Sequence, residues 1–211
     1  MMPRLLLFGI LLFVPLFSLL CGGCSLGRQQ PQTRLYVLTA LLATDQASQV
    51  ATSHSDPIGV GPVTLPQYTN RLQIVTGNTG QELRRAPFDN WAEPLENNFA
   101  RVLAENLSLL LATDQVVIFP WQGPMPIEYQ VVVEVTKFLG ELGGQASLEA
   151  LWRIVGKNGK DVLVIKKSSF TEPVGGQNYD ALAAAMSRTV AALSRDIATT
   201  ITTLAANPSP R

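Results

Sequence analysis

From Trp91 to Leu110 the apolar residues Trp91, Leu95, Phe99, Val102, Leu103, Ala104, Leu107 and Leu110 recur at mostly three- and four-residue steps. That is the period of one face of an α-helix. Glu93, Glu96, Asn97, Arg101 and Glu105 turn mostly to the other side. Pro94 fits only the first turn, where amides have no intrahelical partner, so the helix must begin close before it. Pro87, Phe88, Asp89 and Asn90 read as a polar, turn-prone lead-in, with Asp89 or Asn90 as the cap. Thr113 and Asp114 end the helix, and Gln115 to Phe119 reads as a short buried strand stopped by Pro120. A face this wide needs a broad apolar surface beneath it. The remaining apolar segments are strand-like, so the helix is expected to pack across a sheet.

Arg34 to Ala40 reads as the first strand and Leu41 to Asp56, which holds His54, as a surface loop. Pro57 to Leu65 alternates apolar residues with glycine. Gly59 and Gly61 leave one face bare for another backbone, and Pro62 places the strand at an edge or a bulge. Pro66 to Arg71 is a turn, Leu72 to Thr76 a strand, and Gly77 to Gly80 a turn into Glu82, Leu83 and Arg84. Ile127 to Leu139 sets Tyr129, Val131, Val133 and Val135 on one face. Gln145 to Val155 does the same with Ala146, Leu148, Ala150, Trp152 and Ile154. Asn158-Gly159 between this run and Val162 to Thr171 specifies a tight hairpin, giving an antiparallel meander buried on one side. Leu182, Met186, Val190, Leu193, Ile197, Ile201 and Leu204 form the stripe of a last helix, flanked by alanines suited to close packing. The fold class is therefore α+β: a largely antiparallel or mixed sheet covered by two long helices.

The N-terminus reads as an address. Arg4 precedes an apolar run from Leu5 to Leu20, then Cys21-Gly22-Gly23-Cys24-Ser25. A basic residue, an apolar stretch and small residues make a secretory signal. A plain cleaved signal and an uncleaved membrane anchor remain as other readings, although Gly9 and Pro15 break a run already short for spanning. The small-small-Cys ending resembles the bacterial lipoprotein box, with Cys24 as the acylated residue. Cys21 stands where that box usually has Leu. Ser25, in place of the Asp that retains such proteins in the inner membrane, implies the outer membrane by the same resemblance. The organisation is then a signal over residues 1–23, a lipidated tether over 24–33, one domain over 34–206, and a tail over 207–211.

Composition narrows the function. A chain of 211 residues, 46% hydrophobic, is ample for one domain with a real core. Basic and acidic residues number 16 each, and no basic stripe occurs, so nucleic acid is not a partner. One His and two N-terminal Cys exclude a disulfide framework and a His/Cys metal cage from the folded part. No nucleophile–base–orienter set is visible, so neither catalysis, a cofactor nor a metal is expected. Glu93, Glu96 and Glu105 read as a solvated helix face rather than an acid–base pair.

Two longer stretches carry a family resemblance. One is Ile58-Gly59-Val60-Gly61-Pro62-Val63-Thr64-Leu65-Pro66-Gln67-Tyr68, followed by Arg71 and Gln73-Ile74-Val75. The other runs from Phe88-Asp89-Asn90-Trp91-Ala92-Glu93-Pro94-Leu95 through Val102-Leu103-Ala104-Glu105-Asn106-Leu107 to Pro120-Trp121. Together they resemble the ABC-type transport auxiliary lipoproteins, the paraquat-inducible PqiC-like group, with Leu72 standing where proline is expected. The resemblance implies a non-catalytic outer-membrane partner of an MCE-domain tunnel protein that moves lipid between the two membranes. It implies a homo-oligomeric ring held on the inner leaflet of the outer membrane by acylated Cys24. The alternative is a stand-alone periplasmic lipid- or ligand-binding lipoprotein; an envelope enzyme is a third class. The expected contacts are Gly59 and Gly61 on their bare strand, Tyr68 and Arg71 at the following turn, and Trp121 and Met125 after the short strand. Aromatics, Met and fixed prolines suit interface cores. For Trp121, folding back onto the core is an equal reading.

Overall fold

The computed structural model describes residues 32–42, 56–77, 80–157 and 159–207. Expectations for the signal, Cys21, Cys24, His54, Asn158 and the last four residues lie outside that set. From Thr33 onward the chain forms one compact unit. Among the described residues, eight strands and two long helices build it: β1 (Arg34–Tyr36), β2 (Ile58–Thr64), β3 (Gln73–Thr76), β4 (Arg84–Trp91), α1 (Leu95–Leu110), β5 (Val116–Ile118), β6 (Tyr129–Gly140), β7 (Gln145–Gly156), β8 (Val162–Pro173) and α2 (Tyr179–Ala206). A five-stranded sheet runs β5-β2-β6-β7-β8, and a small one runs β1-β4-β3. The α+β expectation holds. The sheet is mixed: β6, β7 and β8 form the antiparallel meander, while β2 is parallel to both β5 and β6.

The meander is buried on one side as its alternation requires. Val131, Val133, Val135, Ala146, Leu148, Ala150, Trp152 and Ile154 are all buried under the helices. A bulge after Val135 shifts the register of β6, so that Phe138 rather than Lys137 pairs across Leu148 and enters the core. Because side chains alternate with period two, one extra residue exchanges the faces. Phe138 then meets Phe99 edge-on at 5.4 Å. In α1, Leu95, Phe99, Val102, Leu103 and Leu107 are buried, and Glu96, Asn97 and Glu105 are exposed, as the period dictates. In α2 the stripe from Leu182 to Ile201 is buried with Ala183, Ala185, Ala191 and Ala198. Asn178 caps it, its Oδ1 accepting from the Ala181 amide at 2.8 Å.

Four local expectations are corrected. Pro87 to Asn90 are not a turn but part of β4, which pairs antiparallel with β3 and parallel with β1. Trp91 therefore belongs to that strand rather than to the helix, though it is buried. Neither Asp89 nor Asn90 caps α1; Pro94 stands at the cap and its carbonyl accepts from the Asn97 and Asn98 amides. Asp89 is instead buried among Arg34, whose Nε lies 2.8 Å away, and the Tyr36 hydroxyl at 2.8 Å. That cluster raises the Arg34 pKa through its bond to Asp89, and burial followed by the same bond raises that of Tyr36. The first strand ends at Tyr36, where the chain leaves the sheet and crosses between the helices. Its amides bond to helix side chains: Leu38 to Asn98 Oδ1 (2.6 Å), Thr39 to Ser187 Oγ (3.1 Å) and Leu41 to Asn106 Oδ1 (2.7 Å). Lastly, β5 is not a buried strand but an edge, with Ile118 and Phe119 exposed.

Candidate functional site

The residues expected to make contacts fall into two places. Gly59 and Gly61 lie in β2, which is bulged between Val60 and Val63 but is not an edge. Of the two alternatives for this strand, edge or bulge, the bulge holds: β5 pairs along its outer side up to Val60, and the Gly61 carbonyl accepts from Gln130 Nε2 at 2.9 Å. The bare face of Gly59 is also filled. A Cβ there would lie 3.0 Å from the Trp121 ring and 3.2 Å from Ile127. Gly61 has φ +115°, a conformation side chains rarely adopt, and a Cβ would meet that of Phe119 at 2.9 Å. The two glycines thus let the segment after β5 lie close on the sheet.

That segment folds Trp121 back to half-burial over Gly59, while Phe119 packs against it edge-on at 5.3 Å. Around this anchor the surface stays apolar. Ile118 is 41%, Phe119 45% and Met125 38% exposed, and Pro120, Pro124 and Pro126 are exposed as well. No charged residue occurs from Gln115 to Ile127. Met125 is therefore an available contact residue. Trp121 folds back as the second of its two readings has it, holding the loop down over Gly59 while its ring supports the exposed Phe119.

Tyr68 and Arg71 lie elsewhere. The 3-10 turn Gln67–Thr69 brings the Tyr68 hydroxyl to the Phe138 amide, from which it accepts at 3.0 Å. Half-buried, Tyr68 is thus committed to the bulged end of β6, and burial raises its pKa. Arg71 is exposed and lines an open cleft of about 410 Å³ with Leu65, Leu72, Pro94 and Glu96. The structure does not bring Tyr68 and Arg71 together with Trp121 and Met125. It brings Gly59, Gly61, Trp121 and Met125 into one region of β2 and the β5–β6 loop.

A second apolar surface was missed by sequence reasoning. At the start of β8, Val162 is 49%, Leu163 40% and Ile165 66% exposed. The available signal was four consecutive apolar residues, Val162 to Ile165, in a strand whose outward positions should be polar. Among the described residues, no group of three or more His, Cys, Asp or Glu is arranged to hold a metal, and no helix is long and apolar enough to cross a membrane.

Known proteins place this arrangement. A crystal structure of a Xanthomonas campestris protein is similar with a TM-score of 0.66 at 15% identity, covering 83% of this chain and 100% of that one. A second crystal structure, of an uncharacterized protein, gives a TM-score of 0.65 at 19% identity, covering 81% of this chain and 99% of that one. At such identities the likeness shows the fold. No curated protein matches significantly. The family described as ABC-type transport auxiliary lipoprotein component matches residues 36–198, from the second sheet's first strand into the third quarter of α2. On that match, the chain belongs to the ABC-type transport auxiliary lipoprotein component family.

Proposed function

We propose that the protein is a non-catalytic periplasmic lipoprotein, anchored to the inner leaflet of the outer membrane by acylated Cys24. There it docks the MCE-domain tunnel protein of an intermembrane lipid transport system as a homo-oligomeric ring. The observation carrying this reading is the family match across most of the domain, because an auxiliary transport component acts by contact with the rest of its transporter. Two features of the chain support it. Gly22-Gly23-Cys24-Ser25 has the residues of a lipid-attachment box without an inner-membrane retention Asp. The exposed apolar flanks at β5 and β8 offer contact area with few charges, which suits association through burial rather than steering.

The test is co-purification of the full-length lipoprotein with the MCE-domain protein of the same cell, followed by native mass spectrometry in detergent. A complex of several lipoprotein copies with the MCE protein is expected. A monomer that carries lipid and ignores the MCE protein would sink the docking reading in favour of a stand-alone carrier.

A further inference from the structure

The two exposed apolar flanks lie on opposite edges of one sheet. Their relative height follows from strand register. Ile118 pairs with Val60, Val60 with Val131, Val131 with Ile154, and Ile154 with Val164. One row therefore crosses all five strands and joins the end of β5 to the start of β8. Four strand spacings separate the two edges, about 19 Å. At that level one edge presents Ile118, with Phe119 next to it; the other presents Val162, Leu163 and Ile165 around Val164.

β8 is a twelve-residue edge strand, and its two halves differ. From Lys166 onward it carries Lys166, Lys167 and, at its end, Pro173. Charged residues and prolines of this kind keep a free edge from meeting another chain. Val162 to Ile165 has no such residue. The unguarded part of the long edge is thus the part level with the apolar opposite edge.

The position of the chain start selects the partner. Tyr36 packs near Tyr179 at 6.3 Å, and just before Tyr179 the Gly176 carbonyl accepts from Gly143 in the β6–β7 turn at 2.9 Å. The described domain therefore starts at the β6–β7 pole. The apolar row lies toward the other pole, nine residues from Gly140 at Val131, or about 30 Å along the strand. Nine residues from Ser25 to Thr33 span about 30 Å only when fully extended, and about 17 Å as a flexible coil. A short tether thus favours copies that all turn the same pole to the leaflet. Pairing β8 with β8 of a second copy turns one copy over when the two-fold axis is perpendicular to the strands, and closes at two copies when the axis is parallel to them. Packing the β8 flank of one copy against the β5 flank of the next keeps every copy upright. Unlike surfaces in such a contact repeat around a ring.

We propose that these flanks are the two halves of one interface between copies of this chain. The β5 end and β5–β6 loop of one protomer pack, head to tail, against Val162–Ile165 of the next. This rests on the anchored-ring reading above and adds the surface that builds the ring. The contact is made by apolar side chains at the two edges, with Trp121 beneath Phe119 holding its half rigid. Both halves are uncharged, so assembly depends little on ionic strength.

The full-length lipoprotein in cell membranes tests this with paired cysteines. The double variant Phe119→Cys/Ile165→Cys, treated with a short bismaleimide, is expected to give a ladder of species beyond the dimer. Each single variant and the parent should give none. A dimer from Ile165→Cys alone would assign the contact to a two-fold pairing and overturn the proposal. Ile165→Lys is expected to abolish the oligomer in native mass spectrometry while circular dichroism shows the chain still folded, since that side chain is exposed in one copy. Thr171→Lys, also exposed but in the guarded half, should leave the oligomer intact. A parent oligomer without the double-variant ladder, or surviving Ile165→Lys, refutes this interface and leaves the ring reading standing. A parent that is monomeric refutes both.

Discussion

Asn106 on α1 is fully buried and ties three parts of the chain together. Its Oδ1 accepts from the Leu41 amide at 2.7 Å, and its Nδ2 donates to Ser194 Oγ on α2 at 3.1 Å. Asn106→Ala would leave the Leu41 amide without this partner, at about 1–3 kcal/mol for a buried donor. Loss of the bond to Ser194 adds about 1 kcal/mol, while alanine returns about 0.5 kcal/mol of helix propensity. The net loss expected is about 1.5–3.5 kcal/mol. Asn97→Ala is the control, because Asn97 is exposed on the same helix and should change stability by no more than about 0.5 kcal/mol. Urea titration of the purified protein reads both. With a slope of about 2 kcal/mol per molar, Asn106→Ala should move the midpoint down by about 1 M. Native-state hydrogen exchange at Leu41 should accelerate in the same variant. If the two variants unfold at one midpoint and Leu41 stays protected, then the crossing segment is not held by this side chain and the reasoning fails.

Phe99→Ala should cost about 3–5 kcal/mol as a large-to-small change at a fully buried site, and Glu96→Ala about half a kcal/mol or less; equal effects in denaturant would contradict the helix faces. Asp89→Ala should cost about 2–3 kcal/mol by removing a buried carboxylate from Tyr36 and Arg34, read by thermal melting; an unchanged melt would show that this cluster holds nothing. The protein has four tyrosines, and burial raises the pKa of Tyr36, Tyr68, Tyr129 and Tyr179. Groups raised in the folded state favour it fully below the unfolded value and lose that contribution as pH climbs through the folded one, so stability should fall above about pH 10. Phenolate absorbance of the folded protein rising at or below the denatured midpoint would refute this. Mass spectrometry of the mature N-terminus should find Cys24 acylated; an unmodified Cys24 or a retained Met1 would end the lipoprotein reading.

What the sequence determined by itself was whatever repeats over short distances. The stripes of α1 and α2 and the alternating faces of β6 and β7 could be read because a helix or strand repeats its own geometry every few residues. Asn158-Gly159 likewise marked the β7–β8 connection, and Gly159 has the positive φ, +70°, that such a turn demands. The two family stretches were legible because they are contiguous. Choice of partner was not. Phe88-Asp89-Asn90 has turn chemistry locally, yet it is strand because β1 and β3 flank it from 55 and about 15 residues away. Gly59 looked like a bare edge because no local pattern says that Trp121, 62 residues later, covers it. Tyr68 looked free because its partner is a backbone amide exposed by a bulge 70 residues on. Asn98, Asn106 and Ser187 gave no sign that they replace a strand's ladder for the segment after Tyr36. The level of the β5 and β8 flanks exists only across five paired strands. Periodicity is a property of the chain, but burial and register are properties of neighbours, and only the tertiary structure supplies those.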